Sequence, residues 1–381
     1  MILNKVKVKD LGKVITGTTP PTKIKEYYAD VYNFIKPSYI EKNVRFFNES
    51  EEKLSEQAKE KYINTFVPEL STCVVTIGSI GEKICLTKEL CLTNQQINTV
   101  IPNEKYDNMF VYYLLKYNLF KVKAANSGSS SGRENVSKST FENIEVDVPN
   151  LQIQNKIAKV LSAYDDLIEN NLRRIKLLEE SAELLYKEWF INFRFPGYEE
   201  YEFLNGVPNG WKKKKVGELI LKFKRKSKVK KEDYLEAGEI PIIDQSKSFI
   251  GGYTDNEDAK EESVPAIIFG DHTRIVKYID FPFASGADGT QLIYSNSTEV
   301  SQQYFYWAIK NIDLSNYSYA RHFKYLKDEE IYIPSKTVME KFSGIVGYNF
   351  KQITNLRNQN NKLIEARDIL LPKLIIGEIE V

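Results

Sequence analysis

The chain has 381 residues with 53 basic and 52 acidic side chains, so no global field draws it toward a polyanion and any nucleic-acid binding must come from local patches. With 42% apolar residues, 24 Tyr and 20 Phe, its composition is that of a globular protein of two or more domains, not of a disordered chain. Cys73, Cys85 and Cys91 lack CxxC spacing, which argues against both a disulfide framework and a zinc site and fits a reducing compartment.

The first residues, Met1 to Asp10, lack the apolar core of a signal peptide, and no later apolar run approaches the ~20 residues that cross a bilayer. A soluble cytoplasmic protein without a membrane partner is expected. From there to about residue 150, short β-prone runs at Ile35-Lys-Pro37, Cys73-Val-Val-Thr-Ile77 and Asn98-Thr-Val-Ile-Pro102 are separated by Gly, Pro, Asn and Asp. A helical stretch, Met109 to Leu115, lies among them. This pattern predicts an α+β globule with a curved mixed sheet over residues 1–150.

Residues 151–195 read differently. Positions 157, 161, 164, 168, 171, 175, 178, 182, 185 and 189 form an apolar stripe in steps of four and three, with Ile157, Leu161, Ile168, Leu178 and Leu185 on it and Asn171 as its polar member. One long helix is expected. Over residues 196–334 the β-prone runs return at Ile240-Pro-Ile-Ile243, Ala266-Ile-Ile-Phe269 and Gln291-Leu-Ile-Tyr294, with a helical stretch from Gln303 to Ile309, which predicts a second α+β globule. Residues 335–381 again carry a helical stripe, weaker but on the same phase, through Ile353, Asn360, Leu363, Arg367 and Leu370.

The halves are copies. Val146, Val148 and Pro149 match Ile331, Ile333 and Pro334 at an offset of 185, and that offset holds without a gap through Ile157 and Phe342, Ile168 and Ile353, and Leu185 and Leu370. Upstream the match loosens: Val75-Thr-Ile-Gly78 echoes Ile267-Ile-Phe-Gly270. A seam so narrow needs a partner, and the equivalent helix of the other half is the obvious one, giving an antiparallel intramolecular coiled coil. Asn171 and Asn360 either fix its register as buried asparagines or face solvent.

At this point the chain resembles the specificity subunits of type I restriction-modification systems over essentially its whole length. The resemblance is carried by the two β-rich units each followed by a long helix, by Leu11-Gly12 and Thr16-Gly-Thr-Thr-Pro20, by Gly78-Ser-Ile-Gly81 and Thr93-Asn-Gln-Gln96, and by the run Leu370-Leu-Pro-Lys-Leu-Ile-Ile-Gly-Glu378. It implies two target recognition domains, each reading one half of a bipartite double-stranded DNA site, with helices that set the spacer and dock methyltransferase subunits, two of them. Restriction and translocation subunits would join through the complex, and S-adenosylmethionine, ATP and Mg2+ would belong to those partners, none being bound by this chain. The second half lacks a repeat of the Thr-Gly-x-Thr-Pro and Asn-Gln-Gln motifs.

Candidate DNA contacts follow from residue type. Lys212 to Lys231 holds eleven basic side chains and one acid, Glu218, and within it Lys222, Lys224 and Arg225 are suited to neutralise phosphates. The loop Asn126-Ser-Gly-Ser-Ser-Ser-Gly-Arg133 offers Ser129, Ser130 and Arg133, followed by Lys138. Tyr319, Arg321, His322 and Lys324 stand at the equivalent place in the second half, and His272 and Arg274 follow a strand end. The bland readings are a solvated lysine run, a flexible linker and a plain turn; for Thr93-Asn-Gln-Gln96 satisfaction of buried backbone is the favoured role.

No catalytic residue is assigned. There is no phosphate-binding Gly-x-x-x-x-Gly-Lys loop, and Thr19-Pro-Pro-Thr22 lacks the amide and aromatic that grip an extruded base. The two histidines, without Cys or carboxylate at metal spacing, make no metal site. The rival readings are a DNA endonuclease and a coiled-coil adaptor that touches no DNA.

Overall fold

The computed structural model describes residues 2–41, 43–126, 134–287, 289–296, 300–317 and 321–381. They fall into two compact units: residues 1–172 with 357–381, and residues 173–356.

In the first unit the strand Asn4–Lys7 pairs antiparallel with Glu145–Val148. One sheet runs Gly12–Thr16, Ile97–Pro102, Thr72–Val75, Ile84–Leu86; a second runs Lys53–Leu54, Tyr28–Ile35, Cys91–Thr93, Phe66–Val67. The second is mixed, because Tyr28–Ile35 lies parallel to Cys91–Thr93. Between the first sheet and the long helices sits the helix Asn108–Tyr117, opened by Asp107, whose carboxylate accepts from Phe110 N at 2.8 Å. Its Phe110 to Leu115 are buried in one core with Ile157, Leu161, Leu371 and Leu374. Cys73, Cys85 and Cys91 are free thiols in a separate apolar cluster.

The second unit repeats this plan. Lys212–Lys215 pairs with Glu330–Ile333, one sheet runs Val276–Ile279, Ala266–Gly270, Thr290–Ile293, and a mixed sheet runs Gly252–Thr254, Ile240–Ile243, Phe283–Ser285, Lys260–Glu261. Ile240–Ile243 is parallel to Phe283–Ser285, as in the first copy. Ser301 opens the helix Gln302–Lys310 by accepting from Tyr304 N. The edge strand corresponding to Gly12–Thr16 shrinks, among the described residues, to a bridge between Ile220 and Ser295.

The offset of 185 is obeyed by the elements themselves. Glu145–Val148 and Glu330–Ile333 are the two copies of one strand, and the long helices Leu151–Tyr186 and Lys336–Ile376 begin at matched residues. Proline ends each strand, and the Asn150 side chain accepts from Ile153 N to start the central helix. That helix closes in a widened turn, Lys187–Ile191. The C-terminal helix continues through Pro372 and stops before Gly377, whose φ of 79° is a left-handed C-terminal cap.

Within the first unit the helices run antiparallel: Asp165 meets Arg367 and Asn171 meets Asn360. Both asparagines are buried, with Asn171 Nδ2 donating to Asn360 Oδ1 at 2.9 Å and Asn360 Nδ2 to Ile168 O at 3.3 Å. Within the second unit Tyr186 meets Phe342, and Ile175, Ile353 and Leu356 share one core. The stripe is not the straight one expected. Ile157, Leu161, Ile168 and Ile175 are buried, but Tyr164 gives way to Asp165 and Leu185 to Tyr186. A spacing of 3.5 residues drifts by about 20° per heptad on a helix of 3.6, so the buried face advances by a residue. Leu178, Leu185, Leu363 and Leu370 are accordingly half-buried.

Candidate nucleic-acid interface

Each unit brings three segments together beside the end of its central strand. In the first, Val75 N donates to Lys83 O, Thr76 N to Gln96 O and Val136 N to Thr76 O, so the hairpin after Thr72–Val75, the Asn94–Gln96 loop and the chain following residues 127–133 meet. A polar chain links them: Asn98 Nδ2 donates to Thr76 Oγ1 at 2.9 Å and Thr16 Oγ1 to Asn98 Oδ1 at 2.6 Å. Asn94 and Gln96 bond each other, at 2.9 and 3.1 Å, while Gln95 is exposed and bonded to Thr19. Gly17 is required here, since a Cβ would stand 2.2 Å from the carbonyl oxygens of both Thr93 and Asn94. Ser129, Ser130 and Arg133 lie outside the described residues. Lys138 is exposed on the short helix that follows, 3.6 Å from Glu142.

In the second unit the same bonds recur with other residues: Gly270 N to Ile275 O, Asp271 N to Gly289 O, and His322 N to Asp271 O. This pattern equates Gly270 with Val75 and Asp271 with Thr76. The sequence pairing of Gly270 with Gly78 is therefore corrected; the hairpins differ in length, so an ungapped match slips. His322 does stand at the place of Val136, three residues after Tyr319, which lies outside the described residues.

Asp271 organises this second junction. Its carbonyl faces His322 Nδ1 at 2.9 Å, its carboxylate accepts from Phe323 N at 2.8 Å, and His322 Nε2 is 2.8 Å from Tyr317 O. His322 is buried, so its ring braces the loop, with each ring nitrogen facing a protein carbonyl. Arg274, at φ 61°, donates to Leu314 O at 3.2 Å yet remains exposed. His272 holds Gln245 through its backbone, N to Oε1 at 3.1 Å, and leaves its ring exposed. Arg321 and Lys324 are exposed beside it.

The lysine-rich segment divides. Lys212–Lys215 is an antiparallel strand, with Lys213 3.7 Å from Glu330. Lys222 and Lys224 are exposed, but Arg225 is turned inward, its guanidinium donating to Thr290 O at 3.2 Å and Gln291 Oε1 at 2.9 Å, and burial depresses its pKa. Residue counting could not separate this brace from its exposed neighbours.

Two charged clusters escaped the sequence reading. In the first unit Arg367 and Asp165, 1% and 2% exposed at their side chains, pair at 2.5 Å, and Tyr113 OH donates to the other Asp165 oxygen at 2.6 Å. In the second, Lys277 Nζ donates to Asp244 O at 2.8 Å and Ser248 O at 2.5 Å, and burial brings its pKa down to about 8 against the opposing pull of Asp244. Arg367 falling on a helical stripe was the only signal. Among the described residues no group of three His, Cys, Asp or Glu side chains is placed to hold a metal ion, and no helix is long and apolar enough to cross a membrane.

Known proteins resemble this chain over nearly its whole length. Residues 3–180 match the family model described as type I restriction modification DNA specificity domain. The chain is 28% identical over 402 residues to the type I restriction enzyme MjaIX specificity subunit of Methanocaldococcus jannaschii, covering 98% of this chain and 93% of that one. It is 30% identical over 174 residues to the HindI specificity subunit of Haemophilus influenzae, covering 45% and 38%. Among solved structures, the type I S subunit of M. genitalium superposes with a TM-score of 0.54 at 18% identity over 98% of this chain and 96% of that one, a likeness of fold. Over residues 3–180 the chain matches the DNA specificity domain of type I restriction-modification systems, and over its length it is similar to the specificity subunits of such complexes. Its function is that of the subunit that recognises a specific DNA sequence within such a complex.

Proposed function

We propose that each globule, residues 1–150 and 196–334, reads one half of a bipartite duplex site, and that the helices over 151–195 and 335–381 set the spacer. The observation that carries this is the recurrence of one three-segment junction in both copies, dressed with different side chains. In the second copy His272, Arg274, Arg321 and Lys324 are the exposed donors of that junction, able to reach base edges or phosphates. In the first copy the candidate contacts by residue type are the exposed Lys138 and, outside the described residues, Ser129, Ser130 and Arg133, while Lys222 and Lys224 contribute phosphate contacts. The chain performs no chemistry. Two methyltransferase subunits dock on the helices and bring S-adenosylmethionine, restriction subunits bring ATP and Mg2+, and the assembly works in the cytoplasm.

The test is a spacer series. Inserting one heptad after Leu172 and another after Leu356, where both helices pass from one compact unit to the other, keeps the Asp165–Arg367 and Asn171–Asn360 pairs in phase. Each helix grows by about 10 Å at 1.5 Å per residue, matching roughly three base pairs at 3.4 Å per step. The assembled complex should then prefer a site lengthened by about that much, with both half-site sequences unchanged. An intact complex that keeps its original spacing would reject the helices as the ruler.

A further inference from the structure

The first unit covers the outer edge of a sheet with its own chain. Leu86 N donates to Arg45 O and Phe47 N to Leu86 O, both at 2.8 Å, so Arg45-Phe-Phe47 lies as a short parallel strand along Ile84–Leu86. Arg45, only 3% exposed, then reaches the central helix, 2.5 Å from Asp166 and 3.1 Å from Glu169.

The corresponding edge in the second unit is Val276–Ile279. Gly270 N bonds to Ile275 O as Val75 N does to Lys83 O, and the alternation of an antiparallel pair then places Tyr278 where Leu86 stands, its N–H and C=O facing away from Ala266–Gly270. Among the described residues no strand pairs with that edge. Tyr278 instead lines a groove of about 660 Å³ whose other wall is the C-terminal helix. Gly344 and Gly347 leave that wall open: a Cβ at the first would meet nothing within 4 Å, and at the second only Gln303 Nε2 at 3.9 Å. At the offset of 185, Lys351 and Thr354 occupy the places of Asp166 and Glu169. Thr354 bonds Asp280 at 2.5 Å, while Lys351 is exposed and makes no ion pair among the described residues.

We propose that this groove takes an extended segment of a partner protein by strand addition, with an aromatic or large aliphatic residue over Gly344 and Gly347 and a carboxylate at Lys351. The chain's own copy shows what the architecture accepts: main-chain bonds to one outward-facing residue, an aromatic pair, and a charge that answers the helix. Because the helix charge is reversed here, the incoming charge must be reversed too. An edge strand with both polar groups outward and a neighbouring Tyr348 that is 63% exposed is a surface that proteins ordinarily cover. This reading stands independently of which bases the junctions contact.

The probe is a fluorescein-labelled peptide with the sequence of residues 40–49 carrying R45E, titrated against the full chain by fluorescence anisotropy, beside the same peptide with Arg45 retained. The glutamate peptide should saturate and bind about fivefold tighter, the ratio expected when a rim ion pair changes from repulsion to attraction. Lys351→Glu, an exposed substitution that leaves the core intact, should invert that order. Gly347→Leu fills the groove from a position where leucine favours the helix, and should abolish binding of both peptides. Absence of saturable binding, an order unmoved by Lys351→Glu, or indifference to Gly347→Leu would each overturn the proposal. So would a concentration-dependent dimer of the chain that Gly347→Leu dissolves, because the occupant would then be a second copy.

Discussion

The two units hold equivalent stretches of their helix pairs by opposite chemistry. In the first, Asp165 pairs with Arg367 and Asn171 with Asn360, all four buried. At the matched places in the second stand Phe350 with Ala182 and Leu356 with Ile175, and Phe350 stacks on Tyr278 at 3.8 Å. The apolar positions that frame both pairs repeat faithfully, as Ile157 and Phe342, Leu161 and Val346, and Ile168 and Ile353 show. Burial thus fixes the topology twice over, while the polar solution adds what burial lacks, a single allowed register, at a cost in desolvation.

Breaking the ionic side of this comparison should have the largest effect. Arg367→Ala leaves Asp165 buried without its cation and should cost about 3–5 kcal/mol in the denaturant unfolding of the chain. Importing the second unit's solution, Asp165→Phe with Arg367→Ala, should recover most of that loss. If the double variant is as unstable as the single one, the pair is needed for more than charge neutralisation.

The junctions should separate next. Arg321→Ala should lower affinity for one half-site by about 1–3 kcal/mol if its guanidinium reaches a base, with the other half-site's preferences unmoved, read from binding to duplexes mutated in one half at a time. Equal loss at both halves would show a phosphate contact without sequence content. A smaller effect is expected from Asn171→Leu with Asn360→Ile, which copies the second unit: stability should rise slightly while the sharpness of spacer preference falls as register loosens.

The smallest is a pH effect. Lys277 and Lys116 both titrate near 8, burial being the main cause in each and Arg367 adding repulsion at Lys116. Since unfolded lysine holds its proton to about 10.4, these two groups bind more protons in the unfolded chain between pH 8 and 10 and contribute stability that rises across that window, opposed by the buried Cys85 and Cys91, whose thiols release protons there only when unfolded. Lys277→Met should flatten the part belonging to the second unit, measured as the change in Tm between those limits.

The helices and the offset of 185 were legible because apolar periodicity and repetition are properties of the chain alone. The same holds for the α+β plan of each globule and for Asn171 and Asn360 as polar members of the seam. Asp165 was hidden because it sits one residue past Tyr164, where only the drift of a real helix brings it inward. Arg45 lies in an irregular stretch with no period to betray its reach to Asp166. Arg225 and His322 looked like donors for DNA, yet whether a side chain has already spent its hydrogen bonds on its own backbone is decided by tertiary contact.

The first unit is discontinuous in sequence, being completed by residues 357–381, whereas residues 173–356 form a continuous unit. A chain emerging from the ribosome can therefore close the second core before the first, because Leu371, Leu374 and Ile375 are synthesised after residues 173–356 and the first core needs them. Until then Asp165 waits, 202 positions upstream of Arg367, in a helix whose partner does not yet exist. The late arrival links translation of the C-terminal helix to maturation of the N-terminal globule.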